Sequence, residues 1–196
     1  MKNNVKPFKE MLRAAFPALE DSIDHMASFF EPMHLKKNEY LVRIGKKCRY
    51  IVFINSGVMR NYLFDNEGNE IVKYMTCNGD FNTVYRHFIK QESSLEHVQA
   101  VTDCDLMAID YPRFDQLKNE SEAFRSMTEH LLAEGLACKE ERLVSYLTQD
   151  AQKRYENLLR EQPLIIQYSP MQFVASYLGM SRETLSRIRN RRMAKA

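Results

Sequence analysis

Hydrophobic and polar positions change rhythm twice along the 196 residues. Near the start, Phe8, Met11 and Leu12, then Ile23, Met26, Ala27 and Phe30, recur at three- and four-residue spacing. That spacing lines up one side of a helix, so residues 8–30 are expected as short helices. From 34 to 110 short apolar runs take over: EYLVRI, YIVFIN, VMRNYLF, EIVKYM, HVQAVT and DLMAID. Gly45, Gly57, Gly68 and Gly79 punctuate them, beside polar clusters such as Asn55-Ser56-Gly57. Strands between regular glycine turns predict an antiparallel barrel or sandwich. From 112 onward the pattern is helical again. Pro112 is expected as the first residue of a short helix, 112–118, and Ser121 as the cap of a long one. In that long helix Phe124, Met127, Leu131 and Cys138 follow a 3–4–7 rhythm, interrupted by Glu134. So narrow a stripe reads as a two-helix seam, and a helix packed on its own barrel is the alternative. A hinge is expected at Thr148–Asp150, then a helix to about 161, stopped by Pro163. The run Leu164-Ile165-Ile166 is too short to assign.

The last stretch carries the most specific pattern. Ser169-Pro170 reads as a helix start, and Met171, Val174, Ala175 and Leu178 mark one face. Gly179 breaks that helix, and Ser181 caps a second one with Leu185 and Ile188 inward. Two short helices across a tight glycine turn form a helix-turn-helix, whose second helix enters the DNA major groove. With Leu185 and Ile188 pinned, Arg182, Glu183, Ser186, Arg187 and Asn190 face outward. Arginine forks onto guanine and glutamate accepts from cytosine, while Ser181, Thr184 and the helix amides suit a phosphate.

Charge sharpens this reading. Residues 179–196 hold six cations (Arg182, Arg187, Arg189, Arg191, Arg192 and Lys195) against Glu183, a net +5. The chain totals +2, so the remainder carries −3. A basic end on a mildly acidic body points to a polyanion, nucleic acid first. Cys48, Cys77, Cys104 and Cys138 form no C-x-x-C pair, which argues for reduced thiols in a cytoplasmic protein rather than a zinc or iron–sulfur site. No apolar stretch reaches the length of a signal or membrane segment, so no membrane partner is expected.

SYLGMSRETLSRIR resembles the helix-turn-helix of the Crp/Fnr regulators, with its G-x-S-R-E-T-x-x-R core. The GDF segment at 79–81, CDLMAID, the long helix and the basic end follow in that family's order. The stretch KKNEYLVRIGKKCRYIVFINSGVMRNYLFDNEGNEI is most similar to a divergent branch common in Bacteroidetes. The resemblance implies an α+β fold: an antiparallel, jelly-roll-like β-roll flanked by helices, a long dimerisation helix, and a helix-turn-helix end. It divides the chain into a cyclic nucleotide-binding-like sensor (1–120), a dimerisation helix (121–148) and a DNA-binding domain (149–196). Arg182, Glu183 and Arg187 would read bases, with Ser181 and Thr184 on phosphates. The implied partners are a second copy, a palindromic double-stranded operator, RNA polymerase and a small-molecule effector of unknown identity, with no cofactor.

Two departures limit the transfer. Cyclic AMP-binding members carry a G-E pair after GDF and an R-S/T-A triplet before the last strands. Thr83-Val84 and Ser94-Leu95-Glu96 stand at those places here. Burying a cyclic phosphate without an arginine is prohibitive, so cyclic AMP is not expected to bind in the usual way. Tyr74, Phe81, Thr83, Tyr85, Arg86 and Ser94 remain the candidate pocket residues. Only RMAKA follows the recognition helix, so the β-hairpin wing of many family members is expected to be reduced or absent, with Arg191, Arg192 and Lys195 expected either on backbone phosphates or in a disordered stub. Two alternatives stay open: a constitutive DNA binder with a ligand-free roll, and a metal-dependent cupin-like enzyme. Against the latter, none of the five histidines forms an H-x-H pair and no nucleophile motif or P-loop appears, so an enzyme is not expected.

Overall fold

A computed structural model describes residues 5–193; Lys195, assigned above to the basic stub, lies outside them. The chain opens with α1 (Val5–Ala15), a 3-10 turn (Pro17–Leu19) and α2 (Glu20–Ser28). Eight strands come next: β1 (Glu31–Leu35), β2 (Tyr40–Val42), β3 (Tyr50–Ser56), β4 (Met59–Phe64), β5 (Glu70–Thr76), β6 (Phe81–Asn82), β7 (His97–Ala100) and β8 (Cys104–Asp110), with α3 (Tyr85–Lys90) after β6. The strands form two antiparallel sheets, ordered β1-β8-β3-β6 and β2-β7-β4-β5. All six runs read from the pattern are strands. The pattern missed β1, β6 and α3. β1 reads EPMHL, a polar run containing a proline; it survives as a strand because it is an edge, registered on β8 from Glu31↔Ala108 to Leu35↔Cys104.

The four turn glycines all have positive φ. Gly57 is constrained twice: at φ +114° a Cβ would also stand 2.6 Å from the Asp103 carbonyl oxygen. The first core fills the roll. α1 and α2 close one side through Phe8, Leu12, Ile23 and Met26, packed against Phe53, Ile54, Leu106 and Met107. Phe8 lies 4.6 Å from Phe30 and 5.1 Å from Phe53 between ring centroids.

α4 (Tyr111–Glu120) begins one residue earlier than expected. The Asp110 carboxylate caps it by accepting from the Arg113 amide at 3.0 Å, so Pro112 takes the second helical position. α5 (Glu122–Thr148) starts where Ser121 accepts from the Phe124 amide at 3.2 Å. The stripe on α5 is used differently from the seam reading. Phe124 and Met127 are buried in the chain's own first core, and Leu131 packs against it. Phe124 meets Phe114 edge-on at 5.4 Å. Cys138 is exposed. The open apolar face of α5 consists instead of Leu132, Leu136, Leu143, Val144 and Leu147, the last 77% exposed.

Asp150 caps α6 (Ala151–Glu161), accepting from the Lys153 amide at 2.8 Å. Pro163 does end α6, but it also starts α7 (Pro163–Tyr168), the unassigned apolar run. α8 (Met171–Tyr177) and α9 (Arg182–Met193) complete the chain. Ser169 is not the cap of α8. Its hydroxyl is buried with no partner among the described residues, and Pro170 stands at the N-cap. A second core joins these helices to the outer side of the β2-β7-β4-β5 sheet. It holds Val58, Tyr62, Val72 and Met75 with Tyr155, Leu158, Ile165, Val174, Leu178 and Leu185. Among the described residues no helix is long and apolar enough to cross a membrane.

Candidate nucleic-acid interface

α8 and α9 meet at a turn that the local sequence dictates. The Gly179 amide donates to the Ser176 carbonyl at 3.1 Å, and the Met180 amide to the Ala175 carbonyl at 3.0 Å. These bonds close the end of α8 only with residue 179 left-handed, at φ +62°. A Cβ there would stand 2.8 Å from Cε1 of Tyr146 on α5, so glycine is required by conformation and by space. Ser181 then caps α9: its hydroxyl accepts from the Thr184 amide at 3.1 Å and lies 3.1 Å from the Thr184 hydroxyl.

Burial assigns the faces of α9. Leu185 is 1% exposed in the second core, and Ile188 packs partly buried beside it. Ser181, Arg182, Glu183, Arg187 and Asn190 are exposed, while Thr184 and Ser186 are half-buried. Six of the seven residues expected to meet DNA therefore lie on or beside one open surface, and Thr184 holds the N-terminal turn together with Ser181. The Glu183 carboxyl is held below the ordinary carboxylate range by its own backbone amide, then by the Ser181 hydroxyl. It is an anion ready to accept a hydrogen bond. No ion pair holds Arg182 or Arg187 among the described residues, so both guanidinium groups retain their donors.

The residues expected to line a roll pocket do not converge. Phe81 is part of the aromatic cluster with Phe8 and Phe53. The Thr83 hydroxyl donates to the Tyr50 carbonyl at 2.9 Å. The Ser94 hydroxyl is fully buried and donates to the Glu96 carbonyl at 2.6 Å. Tyr85 is half-buried, and Arg86, on α3, is exposed. Tyr74 lies at the junction with the helical end, where burial raises its phenol and Cys138, Tyr177 and Arg142 are its neighbours.

Sequence reasoning passed over two polar features. Arg60 on β4 is 3% exposed, with Nη1 on Glu70 Oε2 at 2.6 Å and Nε and Nη2 on Gln99 Oε1 at 3.0 and 2.8 Å. It carries no motif, and only the rarity of an arginine amid apolar strand residues could have flagged it. Asn61 and Asn82 are buried with side-chain oxygens that find no protein partner among the described residues. Their amide groups donate to the Thr83 carbonyl at 3.4 Å and the Thr76 hydroxyl at 2.7 Å. Among the described residues no three His, Cys, Asp or Glu side chains gather as a metal site.

Comparison with known proteins agrees with this architecture. The Cyclic nucleotide-binding domain family matches residues 32–121. No curated protein matches. Among solved structures, FixK2 from Bradyrhizobium japonicum is similar at a TM-score of 0.73 and 15% identity, covering 85% of each chain. A protein from Eubacterium rectale described as a regulator of the Crp/Fnr family gives 0.68 at 18%, covering 93% of this chain and 88% of that one. The c-di-GMP-responsive global regulator CLP of Xanthomonas campestris gives 0.66 at 20%, covering 89% and 92%. Residues 32–121 are thus similar to the Cyclic nucleotide-binding domain family, in a chain that shares the overall fold of these solved structures.

Proposed function

We propose that the chain is a homodimeric, sequence-specific DNA-binding transcriptional regulator rather than an enzyme. The observation that carries this reading is the two-sidedness of α9. Leu185 is locked into the second core, Glu183, Arg187 and Asn190 are exposed on the opposite side, and Arg182 is exposed on the flank of the first turn. Donors and one acceptor on the first turns of a helix, with a capped N-terminus for a phosphate, match what base edges in the major groove offer. Residues 1–120 form the sensor-like part, 121–148 the dimer helix and 149–196 the DNA-binding part. The dimer seam is the open face of α5, Leu132, Leu136, Leu143 and Leu147, whose 4–7–4 spacing suits a coiled-coil contact. Two copies of α9 about 34 Å apart then call for an imperfectly palindromic operator.

The roll's role is that of a sensor with altered chemistry. Neither the replaced G-E and arginine positions nor the exposed Arg86 offers a buried cation to a cyclic phosphate. The one buried arginine among the described residues, Arg60, is already committed to Gln99 and Glu70. Cyclic AMP held in the usual way is therefore disfavoured. Selecting bound fragments from genomic DNA, then measuring the enriched sequence by fluorescence anisotropy, tests the reading. Arg182→Ala should weaken the selected site by about 1–3 kcal/mol and relax one base position. Unchanged affinity and preference would refute the orientation given to α9.

A further inference from the structure

β5 is an edge strand, and an edge leaves backbone groups without a strand partner. Here α8 and α5 take them. The Val72 amide donates to the Ser176 hydroxyl at 2.9 Å, and that hydroxyl donates to the Glu70 carbonyl at 3.3 Å. The Lys73 carbonyl accepts from Arg142 of α5. The same guanidinium donates through Nη2 to the Tyr146 hydroxyl at 2.7 Å and the Tyr177 carbonyl at 2.9 Å. Arg142 thereby ties three elements: the roll's edge, the long helix, and the end of α8 where the glycine turn begins.

A second contact lies one strand further in. The Arg60 guanidinium is sandwiched between the Tyr62 ring of its own strand, 4.0 Å away, and the Phe173 ring of α8, 3.6 Å away. Its hydrogen bonds all stay inside the roll, so Phe173 is a removable cover and not a charge partner. Cation–π attraction, the Ser176 hydroxyl and Arg142 thus add directional contacts to the apolar ones of the second core, and fix how α8 sits on the sheet. With the contact closed, Ser181, Arg182, Glu183, Arg187 and Asn190 are all exposed. Docking hides none of these residues.

We propose that Arg60, Arg142, Phe173 and Ser176 are positioning residues. They clasp the helix-turn-helix to β5 in the arrangement that reads DNA, so operator affinity depends on side chains that touch no base. The inference rests on the DNA-binding reading above and adds its mechanical coupling: a change in β5 reaches α9 through α8. Without these directional contacts α8 rests on the sheet through apolar contacts alone, and α9 gains orientations that cannot match two half-sites at once.

Hydrogen exchange of the intact protein reads the clasp without DNA. In Ser176→Ala the Val72 amide should exchange about tenfold faster, while amides around Leu185 keep wild-type protection. Ser176→Thr, which retains the hydroxyl, should restore slow exchange. Ser176→Ala combined with Arg142→Gln should weaken the selected operator by about tenfold or more, with the salt dependence unchanged. A locked form guards against simple misfolding. Glu70→Cys and Gln172→Cys, on opposite walls of one cleft, are bridged by a short bis-maleimide in a Cys138→Ser background. Because Glu70→Cys removes a partner of Arg60, the reference is the unbridged double-cysteine protein, whose operator affinity bridging should preserve or raise. Loss of binding on bridging, or full operator affinity in the double variant, overturns the positioning role. A Val72 amide that exchanges equally fast in wild type and Ser176→Ala overturns the clasp itself. A wild-type chain that selects no DNA sequence at all, with Val72 still protected, instead overturns the regulator reading and the operator part of the proposal with it.

Discussion

Replacing Gly179 by alanine perturbs the α8–α9 turn in two separable ways. The backbone at 179 stays at φ +62°, where an L-residue costs about 1 kcal/mol. The new methyl also stands 2.8 Å from Cε1 and 3.3 Å from Cδ1 of Tyr146. The ring cannot yield without disturbing its hydroxyl, which donates to the Tyr177 carbonyl and accepts from Arg142 at 2.7 Å. Losing or lengthening those two bonds costs about 1 kcal/mol each. The expected total is about 2–4 kcal/mol, a large share of the ~5–15 kcal/mol typical of a folded domain. Urea denaturation of wild type, Gly179→Ala, Tyr146→Ala and the double variant measures it. Shrinking the ring removes the clash, so the double variant should be less destabilised than the two single changes added together, by about 1 kcal/mol. Additive effects, or a Gly179→Ala protein within about 0.5 kcal/mol of wild type, would show that the turn does not seat against α5 as described.

Other consequences can be checked separately. Leu185→Ala removes a fully buried side chain and should cost about 2–5 kcal/mol in denaturation, with DNA binding lost in parallel. Leu136→Glu with Leu143→Glu puts charge on the open face of α5 and should convert a dimer to monomer in analytical ultracentrifugation without lowering monomer helicity, because neither side chain enters the chain's own core. Of the four thiols, Cys138 is exposed and should react first with maleimide in the folded protein, though more slowly than a free thiol because partial burial and then Glu141 raise its pKa. Cys77 and Cys104, pushed up to about 11 mainly by burial, should react only on unfolding, as should buried Cys48. The His97 imidazole is held below its ordinary value of 6.5, first by burial and then by Arg43. The unfolded chain takes up a proton there more readily than the folded one. Its contribution to stability is thus intact above about pH 6.5 and lost as pH falls, so His97→Phe should flatten the fall in Tm between pH 7 and 5.

The exposed side of α9 was legible because it rests on local chemistry. A capping serine, a turn glycine and Leu185 three residues before Ile188 fix a short helix and its inward face within fourteen residues. The six strand runs were legible for the same reason, each being bounded by turn residues of its own. β1 was not, because a polar, proline-containing segment becomes a strand only when β8 offers it an edge. The long helix shows the same limit. The spacing of Phe124, Met127 and Leu131 establishes that α5 has an apolar face; it does not say against what. That depends on how far the roll reaches along the helix, and Phe114 and Leu117 of α4 bring the first core up to Phe124 and Met127.

By itself the sequence determined the six strand runs, the Ser121 and Ser181 caps and which side of the last helix carries charge, since these depend on interactions within a few residues. Tertiary structure decided what each apolar face meets. It turned the first stripe of α5 inward and left Leu136 and Leu143 outside. It joined residues more than a hundred apart, as at Val72 and Ser176, and found a use for Arg60 in an aromatic sandwich. The physical reason is that burial and edge pairing are non-directional along the chain: many partners satisfy the same apolar or backbone group, and only the folded geometry selects one.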